Sequence, residues 1–164
     1  MLVIILKYNN QNMNNISKTD IKYIEIAAGE ATKSTETFRH GCVAVSSGKI
    51  IAKGYNHNRT VSQDGLISSM VCSCHAEIDV LRKCLKQNIT HKISLYIARI
   101  GNGNAYLSSI PCGECYKQMQ KFHIKCIIYT ENDGSLTKIR MSNFQSNYKS
   151  SGYKAIEEKK VKCF

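Results

Sequence analysis

Proline, tryptophan and long apolar runs are scarce or missing in this chain. Its 164 residues include one proline, Pro111, and no tryptophan. The apolar stretch over residues 2–6 is far shorter than the ~20 residues that a membrane-spanning helix requires, and no basic segment precedes it. The sequence therefore predicts neither a membrane span nor a secretion signal, and we expect a cytoplasmic protein.

Acidic residues are also few. Twelve aspartates and glutamates stand against 23 lysines and arginines, which gives a formal net charge of +11. This charge favours phosphate-bearing partners, but the lysines are scattered from Lys7 to Lys162 and no basic run interleaved with aromatic residues indicates a nucleic-acid surface. We therefore expect the charge to serve a small phosphate-bearing ligand or plain solubility, with polynucleotide binding as the weaker alternative.

Cysteine, in contrast, is abundant, with eight residues. In a small secreted chain this number would suggest a disulfide framework. Nothing here indicates export, however, and two of the cysteines have the spacing of metal ligands. A reducing, intracellular setting fits better.

The length indicates one domain, large enough to bury about two thirds of the surface that the unfolded chain exposes. The sequence contains no internal repeat. We expect an N-terminal strand and polar arm over residues 1–18, a core domain over residues 19–141, and a basic C-terminal extension over residues 142–164 that packs on the same domain or trails it.

Hydrophobic periodicity and turn residues predict alternating helices and strands. Ser17-Lys18-Thr19-Asp20 has the form of a helix capping box, and Ser47-Gly48 separates two short β-branched segments as a hairpin turn. The predicted elements are helix 19–35, strands 41–46 and 49–55, helix 74–87, strand 93–100, helix 112–122, strands 125–130 and 136–141, and a short basic helix 155–161. Strand-helix-strand units of this kind predict a sheet with helices on its faces.

Two short motifs carry the chemical information. His75-Ala76-Glu77 lies at the start of one predicted helix, and Pro111 precedes Cys112-Gly113-Glu114-Cys115 at the start of the next. The cysteine spacing puts both sulfurs on one helix face, close enough to share a metal ion. A helix N-terminus also favours thiolate over thiol, and proline is harmless at a helix entry.

His75, Cys112 and Cys115 are the ligand set of a catalytic zinc site, and Glu77 is placed to move protons for a water at the fourth position. Each motif alone has an ordinary alternative. A histidine and a glutamate can be a helix cap and a solvated charge, and two cysteines can be a structural zinc half-site or a redox pair. Together, H-x-E followed by P-C-x-x-C is the signature of zinc-dependent nucleobase deaminases.

With these motifs, and with Gly54-Tyr55-Asn56 ahead of them, the chain resembles the cytidine/deoxycytidylate deaminase superfamily over roughly residues 21–141. The resemblance implies an α/β fold, a three-layer α/β/α sandwich with a mixed five-stranded sheet. It also implies a Zn²⁺ cofactor and hydrolytic loss of ammonia from a cytosine, adenine or guanine-type ring. By the same resemblance, Asn56 would hydrogen-bond the sugar or base and the Ala76 backbone would contact the exocyclic amine. Tyr55 and His57, on either side of Asn56, complete the expected substrate contacts.

The sequence departs from the superfamily pattern near both motifs. Residues 101–110 insert a loop with two glycines between the strand over 93–100 and Pro111. Cys72 and Cys74 lie just ahead of His75, and we interpret them as packed or spare thiols, with a second metal site as the alternative.

A further departure concerns the last two strands. Asn132-Asp133-Gly134 predicts a hairpin, which would make these strands antiparallel, as in free-cytidine deaminases. The histidine ligand instead resembles the deoxycytidylate, tRNA-adenosine and polynucleotide branches. The other histidines have no partner at metal-ligand spacing and are interpreted as surface or hydrogen-bonded residues, with His57, beside Asn56, as the exception to test.

The leading hypothesis is a zinc-dependent hydrolytic deaminase of a free cytosine nucleoside or nucleotide, with zinc-hydroxide attack on C4 and release of ammonia. One alternative is a base editor that acts on RNA or single-stranded DNA and uses the positive charge to hold the backbone. Another is a non-catalytic, zinc-stabilised module that binds a nucleotide. The resemblance also implies a homo-oligomer whose neighbouring subunits complete the pocket.

Overall fold

The structure is a computed structural model and describes residues 16–160. Most of the arm predicted over residues 1–18 therefore lies outside the described residues. The helices are α1 (Lys18–Ala31), α2 (Ala76–Lys86), α3 (Gly113–Met119) and α4 (Ser151–Glu157). The strands are β1 (Arg39–Ser46), β2 (Lys49–Tyr55), β3 (Ile93–Ile100), β4 (Tyr106–Leu107), β5 (Ile124–Thr130) and β6 (Leu136–Arg140).

These strands form one mixed sheet in the order β2-β1-β3-β5-β6, with β4 paired to the end of β3. The β3–β5 pair is parallel, whereas β1–β2, β1–β3, β3–β4 and β5–β6 are antiparallel. The predicted five-stranded mixed sheet is confirmed, with β4 as a sixth, two-residue strand. The antiparallel β5–β6 pair also confirms the hairpin that Asn132-Asp133-Gly134 predicts.

Helices cover both faces of the sheet, so the predicted three-layer sandwich is confirmed. Alternate residues of β3 point to opposite sides. Leu95 and Ile97 belong to the core beneath α2 and α3, whereas Tyr96 and Ala98 belong to the core beneath α1. Because α2 and α3 both pack on the core that contains Leu95 and Ile97, the two helices begin above the same face of the sheet.

Helix α1 begins with the predicted capping box. The Ser17 hydroxyl accepts from the Asp20 amide, and the Asp20 carboxylate accepts from the Ser17 amide. This carboxylate is buried. It also accepts hydrogen bonds from the hydroxyl of Tyr96 in β3 and from the ammonium group of Lys138 in β6, each at 2.8 Å. The cap therefore ties α1 to the sheet as well as starting the helix.

Helix α2 begins at Ala76, two residues later than the predicted start at Cys74. His75 has extended backbone angles and is the N-cap residue, and the helix runs from Ala76. The expectation that His75 lies inside the first turn is therefore corrected, while Glu77 does fall there. Helix α3 ends at Met119 rather than at Phe122, because the chain must turn there to reach β5 at Ile124.

The C-terminal helix also begins earlier than predicted. The Ser150 side chain accepts from the Tyr153 amide and caps α4, which ends at Glu157. None of the helices within residues 16–160 has the length and apolarity that crossing a bilayer requires.

Candidate active site

The side chains of His75, Cys112 and Cys115 meet where α2 and α3 begin. His75 Nδ1 lies 3.2 Å from the sulfur of Cys115 and 3.5 Å from the sulfur of Cys112. Their donor atoms all lie within 4.8 Å of one another. Residues separated by nearly forty positions in the sequence are thus brought to one point.

This donor set fits zinc. With zinc–sulfur bonds of about 2.3 Å and zinc–nitrogen bonds of about 2.0 Å in a tetrahedron, nitrogen and sulfur ligands are separated by about 3.5 Å. The two nitrogen–sulfur distances are close to that value. Within residues 16–160, no fourth histidine, cysteine or carboxylate belongs to this group, and three protein ligands are the number typical of a catalytic rather than a structural zinc site.

The pKa values of the three donors are shifted in different directions. The hydrogen bond with Cys115 lowers the pKa of Cys112 to about 4, and His75 acts in the same direction despite burial. The hydrogen bond with Cys112, together with burial, raises the pKa of Cys115. Burial opposes protonation of His75, but the Cys112 thiolate outweighs it and raises the pKa of the imidazole. Zinc requires deprotonated sulfur, and Cys112 provides it at neutral pH.

Glu77 is buried beside these ligands. Burial raises the pKa of its carboxyl group to about 7, although His75 pulls that pKa down. Both the acid and the carboxylate forms are therefore populated near neutral pH. A group with this property can accept a proton in one step and return it in another.

The cluster opens onto a cleft of about 480 Å³, a volume typical of small-ligand sites. His75, Ala76, Glu77 and Cys112 line it. The buried Asn56, whose role as a substrate contact stays a prediction, lines it too. Its side-chain amide donates to the Phe38 carbonyl and accepts from the His40 amide, so Asn56 also braces the entry to β1.

Tyr55 and His57 do not line this cleft. His57 Nε2 instead lies 3.4 Å from the carboxylate of Asp79, and Cys74 completes a second group of possible metal donors. His57 has no partner at metal-ligand spacing in the sequence, but in the fold Asp79 of α2 and Cys74, just ahead of that helix, come close to it. The other oxygen of Asp79 already accepts from Lys83 at 2.7 Å.

Several cleft residues had no signal in the sequence. Phe38 and Arg99 line one side. Tyr148, Ser150, Ser151 and Gly152 line another, and we name these four residues the C-terminal wall. The wall is attached to the ligand helix, because the Gly113 amide donates to the Tyr148 carbonyl at 2.9 Å. The sequence shows that residue 99 is a charged arginine, but its position in the cleft depends on where β3 ends in the fold.

A mixed sheet between helical layers, with an imidazole and two thiols at adjoining helix starts, defines a zinc-binding class of α/β/α proteins that includes the nucleobase deaminases. The profile of the cytidine and deoxycytidylate deaminase zinc-binding region matches residues 17–131, and the chain belongs to this family. Membership supports a zinc-dependent deaminase. A comparison with curated proteins finds no match.

Solved structures with the same fold include two enzymes of this family. The dCMP deaminase from the cyanophage S-TIM5 in apo form is 19% identical, with a TM-score of 0.55, and the match covers 71% of this chain and 86% of that one. The cytidine deaminase from Burkholderia pseudomallei is 18% identical, also with a TM-score of 0.55, and the match covers 78% of this chain and 95% of that one. These likenesses establish the fold.

Proposed function

We propose that this protein is a zinc-dependent hydrolase that converts a cytosine nucleoside or nucleotide into the corresponding uracil compound and ammonia. One observation carries the proposal. His75, Cys112 and Cys115 lie within 4.8 Å of one another, and the buried carboxyl group of Glu77 lines the same open cleft. A purely structural zinc site has no need of a buried carboxyl group beside it.

In this proposal, His75, Cys112 and Cys115 hold Zn²⁺, which when bound acts as a Lewis acid that makes water nucleophilic at neutral pH. Glu77 removes one proton from the attacking water and delivers it to the ring nitrogen N3 as the oxygen adds to C4. It then transfers the second proton of the water to the departing amine, which leaves as ammonia. Water and cytosine thus become uracil and ammonia, and Glu77 returns to its starting state.

The family and the fold support a zinc-dependent deaminase. That the substrate ring is cytosine is part of our proposal. The same cyanophage dCMP deaminase has been crystallised in complex with dCMP and dUMP; that structure is 21% identical to this chain, with a TM-score of 0.52. Asn56 and the Ala76 backbone line the cleft beside Glu77 and are proposed to orient the base. Tyr55 and His57, outside the cleft lining, would act through Asn56.

The proposal is tested with the Glu77→Gln variant. The amide keeps the shape of the side chain but cannot accept a proton, so we expect the turnover number to fall by about 10²–10⁴-fold. Zinc content, measured by atomic emission, should stay at one ion per chain. Ammonia release from cytidine, deoxycytidine and their monophosphates measures the activity.

Glu114→Gln is the matched control. Glu114 also lies in the first turn of a helix next to the ligands, but it is held by Ser68 and Lys117 at 2.7 Å and does not line the cleft. This variant should retain activity. Release of no ammonia from any of the four compounds by the wild-type, zinc-loaded protein would refute the proposed function.

A further inference from the structure

Arg99 lines the cleft and is the last residue but one of β3. Its side chain follows Leu95 and Ile97 on the face of the sheet that packs against α2 and α3. In the β1–β3 register it lies opposite His40, which lines the same cleft. This face of the strand thus continues from the core to the cleft, where it presents a guanidinium group.

This guanidinium group is held in place without a counter-ion. Its central carbon lies 4.7 Å from the centre of the Phe38 ring, a stacking contact that orients the planar group. Across residues 16–160 it has no carboxylate partner, and its Nε is shielded from solvent without a hydrogen-bond acceptor. An oriented arginine without an anion is suited to bind one from a ligand.

The charged residues that line the cleft indicate where such an anion would bind. Among the described residues, Arg99 is the only lysine or arginine that lines the cleft, while Glu36 and Glu77 are its carboxylates. Glu36 has a shielded oxygen, Oε1, that also lacks a hydrogen-bond partner. A donor for Glu36 and an acceptor for Arg99 are both present in a sugar phosphate, which has hydroxyl donors and phosphate oxygens.

We propose that Arg99 determines specificity by binding the 5′-phosphate of a cytosine nucleoside monophosphate, while Glu36 accepts a hydrogen bond from the sugar. This inference rests on the proposed function and narrows its substrate to a nucleotide. The amino group at C4 and the 5′-phosphate lie at opposite ends of such a molecule. Glu77 and Arg99 both line the cleft, so a single bound nucleotide can present its ring to the one and its phosphate to the other.

A monophosphate is favoured over a polynucleotide because the cleft offers a single cation. A single strand carries a phosphate at every nucleotide, and proteins that follow it use several basic side chains along a groove. Apart from Arg99, the lysines and arginines of residues 16–160 lie outside the cleft lining.

The experiment compares kcat/KM for deoxycytidine monophosphate, deoxycytidine and a short single-stranded oligonucleotide with one internal cytosine. The monophosphate should be the best substrate of the wild-type protein by about 10²-fold. Arg99→Gln should lower kcat/KM for the monophosphate about 10²-fold more than kcat/KM for deoxycytidine, and Arg99→Lys should restore part of the loss. Arg140→Gln, at an exposed position outside the cleft, is the control.

A binding measurement tests the role of Arg99 independently of the deamination reaction. Calorimetry should show deoxyuridine monophosphate binding about 10²-fold more tightly than deoxyuridine to the wild-type protein, with the difference lost in Arg99→Gln. This measurement stands even if no ammonia is released. Equal binding of the two ligands, an equal effect of the variant on both, or preference for the oligonucleotide would overturn the proposal.

Discussion

The pKa values of two buried carboxyl groups, those of Glu77 and Asp20, are shifted in opposite directions. Burial raises the pKa of Glu77 to about 7. Burial acts the same way on Asp20, but hydrogen bonds from Lys138, Ser17 and Tyr96 outweigh it and hold the pKa of Asp20 below its usual value. Glu77 can therefore exchange protons near neutral pH, whereas Asp20 stays charged and has a structural role.

Asp20→Asn should destabilise the fold. The amide removes the charge that Lys138 pairs with and cannot accept all of the bonds that the carboxylate accepts, so we expect a loss of about 1–3 kcal/mol at pH 7. Urea unfolding measures it. Glu157→Gln, which removes an exposed ion pair with Lys149, should change stability by less than about 0.5 kcal/mol.

The effect of Asp20→Asn depends on pH with a defined sign. Because the folded-state pKa of Asp20 is lowered, its contribution is fully present above the ordinary value of 3.8 and is lost as the pH falls through the folded-state value. The difference between wild type and variant should therefore be constant from neutral pH down to about pH 5 and shrink below pH 4. A difference that grows in acid would contradict this assignment.

At the scale of elements, the contact between α1 and β1 depends on the absence of a side chain. A Cβ atom on Gly41 would lie 1.9 Å from the Ala27 carbonyl oxygen and 2.5 Å from the Ala31 amide nitrogen. Both are backbone atoms of α1, so they cannot move aside without shifting the helix. Helix and sheet approach as closely as they do because residue 41 is glycine.

Gly41→Ala should therefore cost about 1–3 kcal/mol of unfolding free energy. Gly29→Ala is the matched control within the same layer, because its added methyl group meets nothing within 4 Å and lies in a helix interior. It should stabilise the protein by about 0.5–1 kcal/mol. Thermal unfolding of both variants tests the pair, and a neutral Gly41→Ala would show that α1 can move away from the sheet.

Elements that are defined by their own local sequence could be predicted, whereas those that depend on distant contacts could not. Strands β2 and β3 match the sequence prediction at both ends, since β-branched residues and neighbouring turns define them locally. Strand β4 has two residues and exists only through its pairing with Arg99 and Ile100, so no local pattern could indicate it. The predicted helix 155–161 begins four residues later than α4, because its cap, Ser150, lies outside the segment on which the prediction rests.

At the scale of the whole molecule, the grouping of the three proposed metal ligands could be predicted and most of the cleft could not. The ligands occur in two compact motifs whose spacing reflects helix geometry. The cleft walls come from segments that no sequence pattern connects, such as Phe38 before β1 and Tyr148 after β6. Their proximity results from sheet order and from the path of the chain after Phe144.

The C-terminal wall provides a test at this scale. Ending the chain after Asn147 removes the wall and the Tyr148 carbonyl that accepts from Gly113, but it keeps the buried Phe144. We expect a folded protein whose KM for the best substrate rises at least about tenfold, because substrate contacts worth about 1.4 kcal/mol are lost. Steady-state kinetics and circular dichroism measure the two effects.

A shorter truncation separates the wall from the rest of the C-terminal extension. Ending the chain after Lys160 preserves every described contact of the wall, so KM should match that of the intact protein. If the longer truncation also left KM unchanged, the extension predicted over residues 142–164 would have no part in substrate binding.

The bonds that converge on Asp20 also bear on the kinetics of folding. Tyr96 is 76 positions away from Asp20 in the chain, and Lys138 is 118 positions away. Closing loops of that length is entropically costly, so these bonds form only after most of the sheet has assembled. They are therefore expected to slow unfolding much more than they accelerate folding, and to prolong the lifetime of the native state.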